Sequence, residues 1–221
     1  MEQPKIRWFH SYDFGDGEVV EGAKGGGLAQ LKAEAAKAFS ESVAGKTVLD
    51  IGAWDGYFSF EAERRGAADV LATDHFCWSG PGWGTKAGFD YAHKKFGSKV
   101  RSIDVDVFDL DPSVHGKFDV VLFFGVLYHL KNPLGGLEQV SRMTDHLAII
   151  ETVVDQLQNP EPVLRFYLGT ELSRDPTNFF APNYKGLENM LREVGFKRIK
   201  FIPERPPAGA TKSRAHVLAW K

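Results

Sequence analysis

The sequence predicts an α/β fold in which a mostly parallel sheet carries helices on both faces and ends in an antiparallel hairpin. Three observations predict it. Five short apolar runs, at 47–51, 69–72, 100–103, 118–124 and 147–153, alternate with helical segments, as strands buried on both faces do. The first four of these runs lead into glycine or acidic residues at their C-terminal ends, where open α/β sheets hold ligands. Two further runs, 197–202 and 215–220, are joined by a Pro-rich link with no helix, so they pair antiparallel and bring the strands to seven.

The elements follow in order. Residues 1–26 are turn-rich, with Gly15-Asp16-Gly17 and Gly25-Gly26-Gly27, and predict an arm lying on a single domain that spans 1–221. Leu28, Leu31, Ala35 and Phe39 keep helical spacing and predict one helix ending near Gly45. Phe89, Ala92 and Phe96, then Leu134, Leu137 and Val140, mark helices between the strands. The stretch 155–182 has neither period. A connection of that length inside a compact domain is usually functional, so it is read as an insertion capping the acceptor. A last helix follows Asn183, carries Leu187, Met190, Leu191 and Val194 on one face, and stops at Gly195.

Composition narrows the function. With 221 residues, 43% hydrophobic and 25% charged, the chain reads as one ordinary globular unit. Its net charge of −2 offers no global positive field to gather nucleic acid. The lone Cys77 precludes an intrachain disulfide and points to a reducing compartment. The opening Met-Glu-Gln-Pro-Lys reads as no signal peptide, and no apolar run reaches the length of a membrane span. The expectation is a cytoplasmic protein without a membrane partner.

The chemistry sits at the strand ends. The first strand runs into Asp50-Ile51-Gly52-Ala53-Trp54-Asp55-Gly56 and then a helix, a turn that lets backbone approach a nucleotide. Gly52 and Gly56 stand in G-x-x-x-G rather than the G-x-G-x-x-G of dinucleotide folds, which disfavours NAD. Asp50 and Asp55 would repel a pyrophosphate and suit the ammonium and sulfonium of S-adenosylmethionine. Asp74 ends the second strand, 22 residues after Gly52, placed to accept both ribose hydroxyls, with His75 beside it. After the third strand, Asp106 is positioned for the adenine amino group, and Val107 or Phe108 for the ring face.

These residues resemble a known family. DIG-x-x-DG, TDHF, FDVVLFFGVLYHLKNPL and NFFAPNYKGLENMLREVGF look like a Rossmann-like class I S-adenosylmethionine-dependent methyltransferase. They are similar to the tRNA wobble-uridine carboxymethyltransferases and the shorter bacterial methyltransferases related to them, from about Lys32 onward. The resemblance implies that Gly52, Asp74 and Phe124 line the cofactor, and that Lys32, Tyr128 and Arg214 match further pocket residues, the latter two facing an anionic group. It also brings carboxy-S-adenosylmethionine into question. Gly27 stands where those enzymes hold a tryptophan against the carboxylated cofactor, and only about 45 residues precede the first motif, so plain S-adenosylmethionine is the expectation.

Methyl transfer from a sulfonium needs the acceptor held in near-attack geometry, and a hydroxyl acceptor also needs a base. His129, just past the fourth strand, is the candidate catalytic base, since a histidine titrates near neutrality. His10 and His75 are secondary. The same His129 also fits a structural role, hydrogen-bonded to hold its loop. Acceptor choice is expected from the aromatic loop 75–84, through Trp78, and from the 155–182 segment, through Arg165 and Tyr167. No carboxylate cluster follows the fourth strand, so no metal is expected. Three functions remain open: O-methylation of a small-molecule or glycan-like acceptor, modification of tRNA, or non-catalytic S-adenosylmethionine binding by a regulator.

Overall fold

Residues 6–221 are described by the computed structural model; the opening pentapeptide, where the sequence predicts no signal peptide, lies outside them. The chain divides between Asp106 and Val107 into two compact units.

The first unit begins with the arm, which is less irregular than the turn residues suggest. Strands β1 (Tyr12–Asp13) and β2 (Val19–Val20) pair antiparallel across the Gly15-Asp16-Gly17 turn. Helix α1 spans Gly27–Ala38 and stops well before Gly45. Tertiary burial ends it. Phe39 leaves helical geometry to bury itself together with Val43, and the serines Ser40 and Ser42 disfavour a helix interior. Strands β3 (Thr47–Ile51), β4 (Asp69–Asp74) and β5 (Arg101–Asp104) are parallel, with α2 (Tyr57–Arg64) and α3 (Ala87–Phe96) in the crossovers. Strand β4 outruns its apolar core by two polar residues. Thr73 and Asp74 stay buried because the Thr73 carbonyl accepts the Gly52 and Ala53 amides of the neighbouring turn, at 2.8 and 3.0 Å.

The second unit opens with a 3₁₀ turn at Val107–Asp109 and the short helix α4 (Pro112–His115). Strand β6 (Phe118–Phe124) leads into a 3₁₀ turn at Leu127–His129 and helix α5 (Pro133–Met143). Asn132 caps α5, accepting from the Gly135 amide at 3.0 Å, with Pro133 at the first helical position. Strand β7 (Thr144–Val154) is parallel to β6 and antiparallel to β11 (Ser213–Trp220), and this double pairing extends it to eleven residues. The 155–182 segment contains its own antiparallel pair, β8 (Leu164–Phe166) and β9 (Phe180–Pro182). Helix α6 (Tyr184–Glu193) is capped by Asn183, and β10 (Arg198–Ile202) forms the expected hairpin with β11.

The sheet order is β10-β11-β7-β6-β3-β4-β5, seven strands of which the C-terminal pair introduces the antiparallel neighbours, as the sequence predicts. Among the described residues no helix is long and apolar enough to cross a membrane.

Candidate cofactor and acceptor sites

In the first unit the β3–α2 turn is built around glycines. Gly56 has φ +84°, and a Cβ there would stand 2.6 Å from the Phe89 ring, so both conformation and space demand glycine. Gly52, at φ +79°, brings bare backbone to the end of β3. Trp54 between them also has positive φ, +48°, a conformation costing a bulky residue of order 1–3 kcal/mol. Four contacts hold it there. Its amide donates to Asp74 Oδ2 at 2.9 Å, and its carbonyl accepts the Trp78 indole N–H at 2.6 Å. Phe9 stacks on its ring at 4.3 Å, and Trp83 stacks at 5.6 Å.

The structure separates the three carboxylates of this edge. Asp74 is buried and takes backbone amides on both oxygens, Trp54 on one and Cys77, at 2.9 Å, on the other. Each oxygen keeps acceptor capacity, as a ribose partner requires. Burial raises its pKa, and the two amides act against that rise. Asp50 is buried, accepts from the Ser59 hydroxyl at 2.6 Å, and is pushed up to about 7, chiefly by desolvation. Asp55 corrects the sequence reading. Its Oδ2 accepts the Phe9 and His10 amides, each at 2.9 Å, and its Oδ1 pairs with His10 Nδ1, so this carboxylate serves the arm. His10, a secondary base candidate, is thereby buried in the same contact.

Asp50 gives a stability prediction with a definite sign. Its folded pKa of about 7 exceeds the usual 3.8, so its contribution to stability is fully present below the unfolded value. That contribution is lost as pH rises through about 7. Asp50→Asn should therefore melt higher than the parent at pH 8 without cofactor, with the gap closing by pH 4. An unchanged or lower melting temperature at pH 8 would show that Asp50 is comfortable as an anion.

His75 bonds Asp104 at 2.8 Å, which raises its pKa, with Asp106 close enough to add to the rise. Trp78 was expected on the acceptor side and is instead buried, its N–H spent on Trp54 and Lys86 lying over its ring at 4.9 Å. It is a wall of the turn. Cys77 is buried and its thiol pushed far up, so it is no nucleophile. Lys32 is exposed on α1, in a groove lined also by Tyr12, Asp13, Tyr57 and Arg64; none of the strand-end residues belongs to that groove.

In the second unit Val107 is buried and Phe108 is 41% exposed. Phe124 ends β6 opposite Glu151 of β7. Gly125 follows at φ +72°, where a Cβ would meet the Tyr128 hydroxyl at 3.4 Å. Arg214 of β11 is bidentate to Glu151, through Nε and, at 2.7 Å, through Nη2. Nη2 also reaches the Tyr128 hydroxyl at 3.3 Å, and the guanidinium lies 5.1 Å from that ring's centre. Burial opposes the charge on Arg214, but Glu151 outweighs it and the arginine stays protonated. Burial also raises the Tyr128 pKa, so its phenol is neutral. Sequence reasoning missed Glu151, whose signal was a single carboxylate inside an otherwise apolar strand.

His129 is positioned by the 155–182 segment. Its Nδ1 lies 3.0 Å from the Thr177 carbonyl and 3.0 Å from the Thr177 hydroxyl, which itself donates to Asp175 at 2.6 Å. A carbonyl only accepts, so Nδ1 carries the proton and Nε2 carries the lone pair. Burial lowers the His129 pKa, keeping it neutral at pH 7. The Tyr128 carbonyl accepts the Phe179 amide at 2.8 Å, tying the 155–182 segment to the same turn.

Arg165 and Tyr167, expected to hold acceptor, both bond Asp155, the arginine at 2.9 Å and the phenol through its hydroxyl. Strand period two explains this. Tyr167 turns inward against Val153, Leu172 and Ala181, while the alternate residues Leu164, Phe166 and Leu168 are exposed. Among the described residues no group of three or more metal-ligating side chains is found.

The glycine turn, the buried Asp50 and Asp74 carboxylates and the seven-stranded order fit a cationic nucleoside. The chain is a class I S-adenosylmethionine-dependent methyltransferase. It belongs to the methyltransferase domain family, whose pattern matches residues 26–200. It is similar to a tRNA U34 carboxymethyltransferase of Chromohalobacter salexigens, 27% identical over 178 residues, covering 73% of this chain and 47% of that protein. A relative of the same name from Dichelobacter nodosus is 38% identical over 99 residues, 45% of this chain and 29% of that one. The chain thus spans about half the length of the curated relatives it matches. Among solved structures, the N-terminal domain of EvdMO1 with SAH bound has the same fold. The TM-score is 0.73 at 21% identity, covering 96% of this chain and 91% of that one.

Proposed function

We propose that this methyltransferase acts as one catalytic domain on a hydroxyl of a small-molecule or glycan-like acceptor, with residues 155–182 as the cap over the acceptor. The observation that carries this reading is the His129–Thr177 hydrogen bond, which leaves Nε2 as an uncharged base. S-adenosylmethionine supplies a methyl group already activated by its sulfonium. On the protein side, Gly52, Asp50 and Asp74 hold the amino-acid and ribose parts, His75, Asp106, Val107 and Phe108 flank the adenine, and Phe124 packs along the cofactor. Tyr128 and Arg214 shape the acceptor side.

The Arg214–Glu151 pair supports plain S-adenosylmethionine. The arginine's charge is already matched by a carboxylate, so little attraction is left for the extra carboxylate of the carboxylated analogue.

The experiment is a screen for S-adenosylhomocysteine release with hydroxyl acceptors. It starts from free sugars, because the EvdMO1 domain has been crystallised with SAH and D-fucose. Turnover with a hydroxyl compound is the expected result. The names of the curated relatives favour a second reading, modification of a tRNA wobble uridine. That reading predicts product from an anticodon stem-loop and affinity that falls about 10³–10⁵-fold between 50 and 200 mM salt. Product from the RNA, with none from any hydroxyl acceptor, would replace the first reading by the second.

A further inference from the structure

The arm is joined to the cofactor turn by more contacts than packing alone requires. Asp55 is 1% exposed and accepts two arm amides and the His10 ring, while the Tyr12 hydroxyl donates to the Asp55 carbonyl at 2.6 Å. Phe9 lies on Trp54 with the planes only 5° apart. Arg7 Nη1 reaches the carbonyl of Trp83, the other ring stacked on Trp54. The Ala23 and Lys24 amides fold back onto the Trp8 and Phe9 carbonyls, at 3.0 and 2.9 Å, which closes the arm on itself. Trp54, held from both sides, is the strained residue whose amide fastens Asp74.

We propose that the arm is a positioning element for the cofactor. By stacking Phe9 on Trp54 and capturing Asp55, it holds the turn in the left-handed conformation that aims the Asp74 carboxylate. Without the arm, Trp54 loses the Phe9 stack that helps hold it at positive φ; as it relaxes, its amide turns from Asp74 and the carboxylate loses one of the two donors that orient it. Phe9 acts on the cofactor only through Trp54. Because coupling between two events is reciprocal, cofactor binding must tighten the arm by the factor with which the arm tightens the cofactor. The inference rests on Asp74 as the ribose partner.

The test uses the full chain and S-adenosylhomocysteine as probe. Phe9→Ala keeps the backbone bonds to Asp55 and removes the stack; it should raise the calorimetric Kd about three- to tenfold, as loss of one aromatic pair implies. Phe9→Tyr, which keeps a ring, should restore the parent value. Once Asp74 is replaced by alanine, Phe9→Ala should add little, since both act on one contact. In the parent protein, the ligand should slow hydrogen exchange at the amides of Phe9, His10, Ala23 and Lys24. A lower melting temperature for Phe9→Ala with unchanged Kd, or arm exchange indifferent to ligand, would overturn the proposal and leave the arm as packing. Exchange in the parent decides the matter if Phe9→Ala does not fold. An Asp74→Ala variant of normal affinity would instead remove the cofactor reading beneath it.

Discussion

His129→Ala is expected to lower kcat for a hydroxyl acceptor by about 10²–10⁴-fold, the usual range for a lost general base, while the Kd for S-adenosylhomocysteine stays put. The prediction comes from a tautomer. With Nδ1 donating to the Thr177 carbonyl at 3.0 Å, only Nε2 can take a proton from an acceptor. Desolvation lowers the pKa, whereas the Thr177 carbonyl and Asp175 raise it and Arg214 lowers it again. The net shift is downward, so the parent's rate should rise with pH through a value below 6.5 and then level off. Nitrogen-15 spectra of the imidazole check the tautomer before any acceptor is known, with Nδ1 protonated and Nε2 unprotonated at pH 7. A variant with normal specific activity and a lowered melting temperature would make His129 a structural residue that ties the cap to the turn.

Asp74→Ala should weaken S-adenosylmethionine binding by more than tenfold, over about 1.4 kcal/mol, measured by calorimetry. Two losses add. The ribose loses its acceptor, and the Trp54 and Cys77 amides lose theirs, so the turn around the nucleoside loosens as well. Asp74→Asn separates them, because the amide oxygen still accepts one backbone N–H. Its affinity should fall between parent and alanine. Equal affinity for all three proteins would take Asp74 out of the site.

Much of this was legible in the primary structure. Strands β3, β4, β6 and β7 begin and end within a few residues of the apolar runs, because a strand buried on both faces must be apolar along its length. Strand β5 was expected to be buried in the same way, but it is the edge strand and leaves Arg101 and Asp104 exposed. The helix start at Asn183 and the glycine turn are equally local signals, whereas the Asn132 cap was found only in the structure. The small pairs β1–β2 and β8–β9 were not legible, since two or three residues show no period. The length of α1 was misjudged because tertiary burial of Phe39 and Val43 ended the helix before its glycine.

The strand-end aspartates show where sequence stops. Local turn chemistry brings Asp50, Asp55 and Asp74 to one edge of the sheet, and the sequence alone determined that. Which partners each carboxylate takes was decided by segments far along the chain. Asp55 is taken by amides 45 and 46 residues earlier, whereas Asp74 is oriented by Trp54, 20 residues earlier. In the 155–182 segment the same holds for Arg165 and Tyr167, drawn to Asp155 just after β7. A residue's type fixes what it can bond. Its partner depends on competition among groups that only the folded chain brings within hydrogen-bond distance.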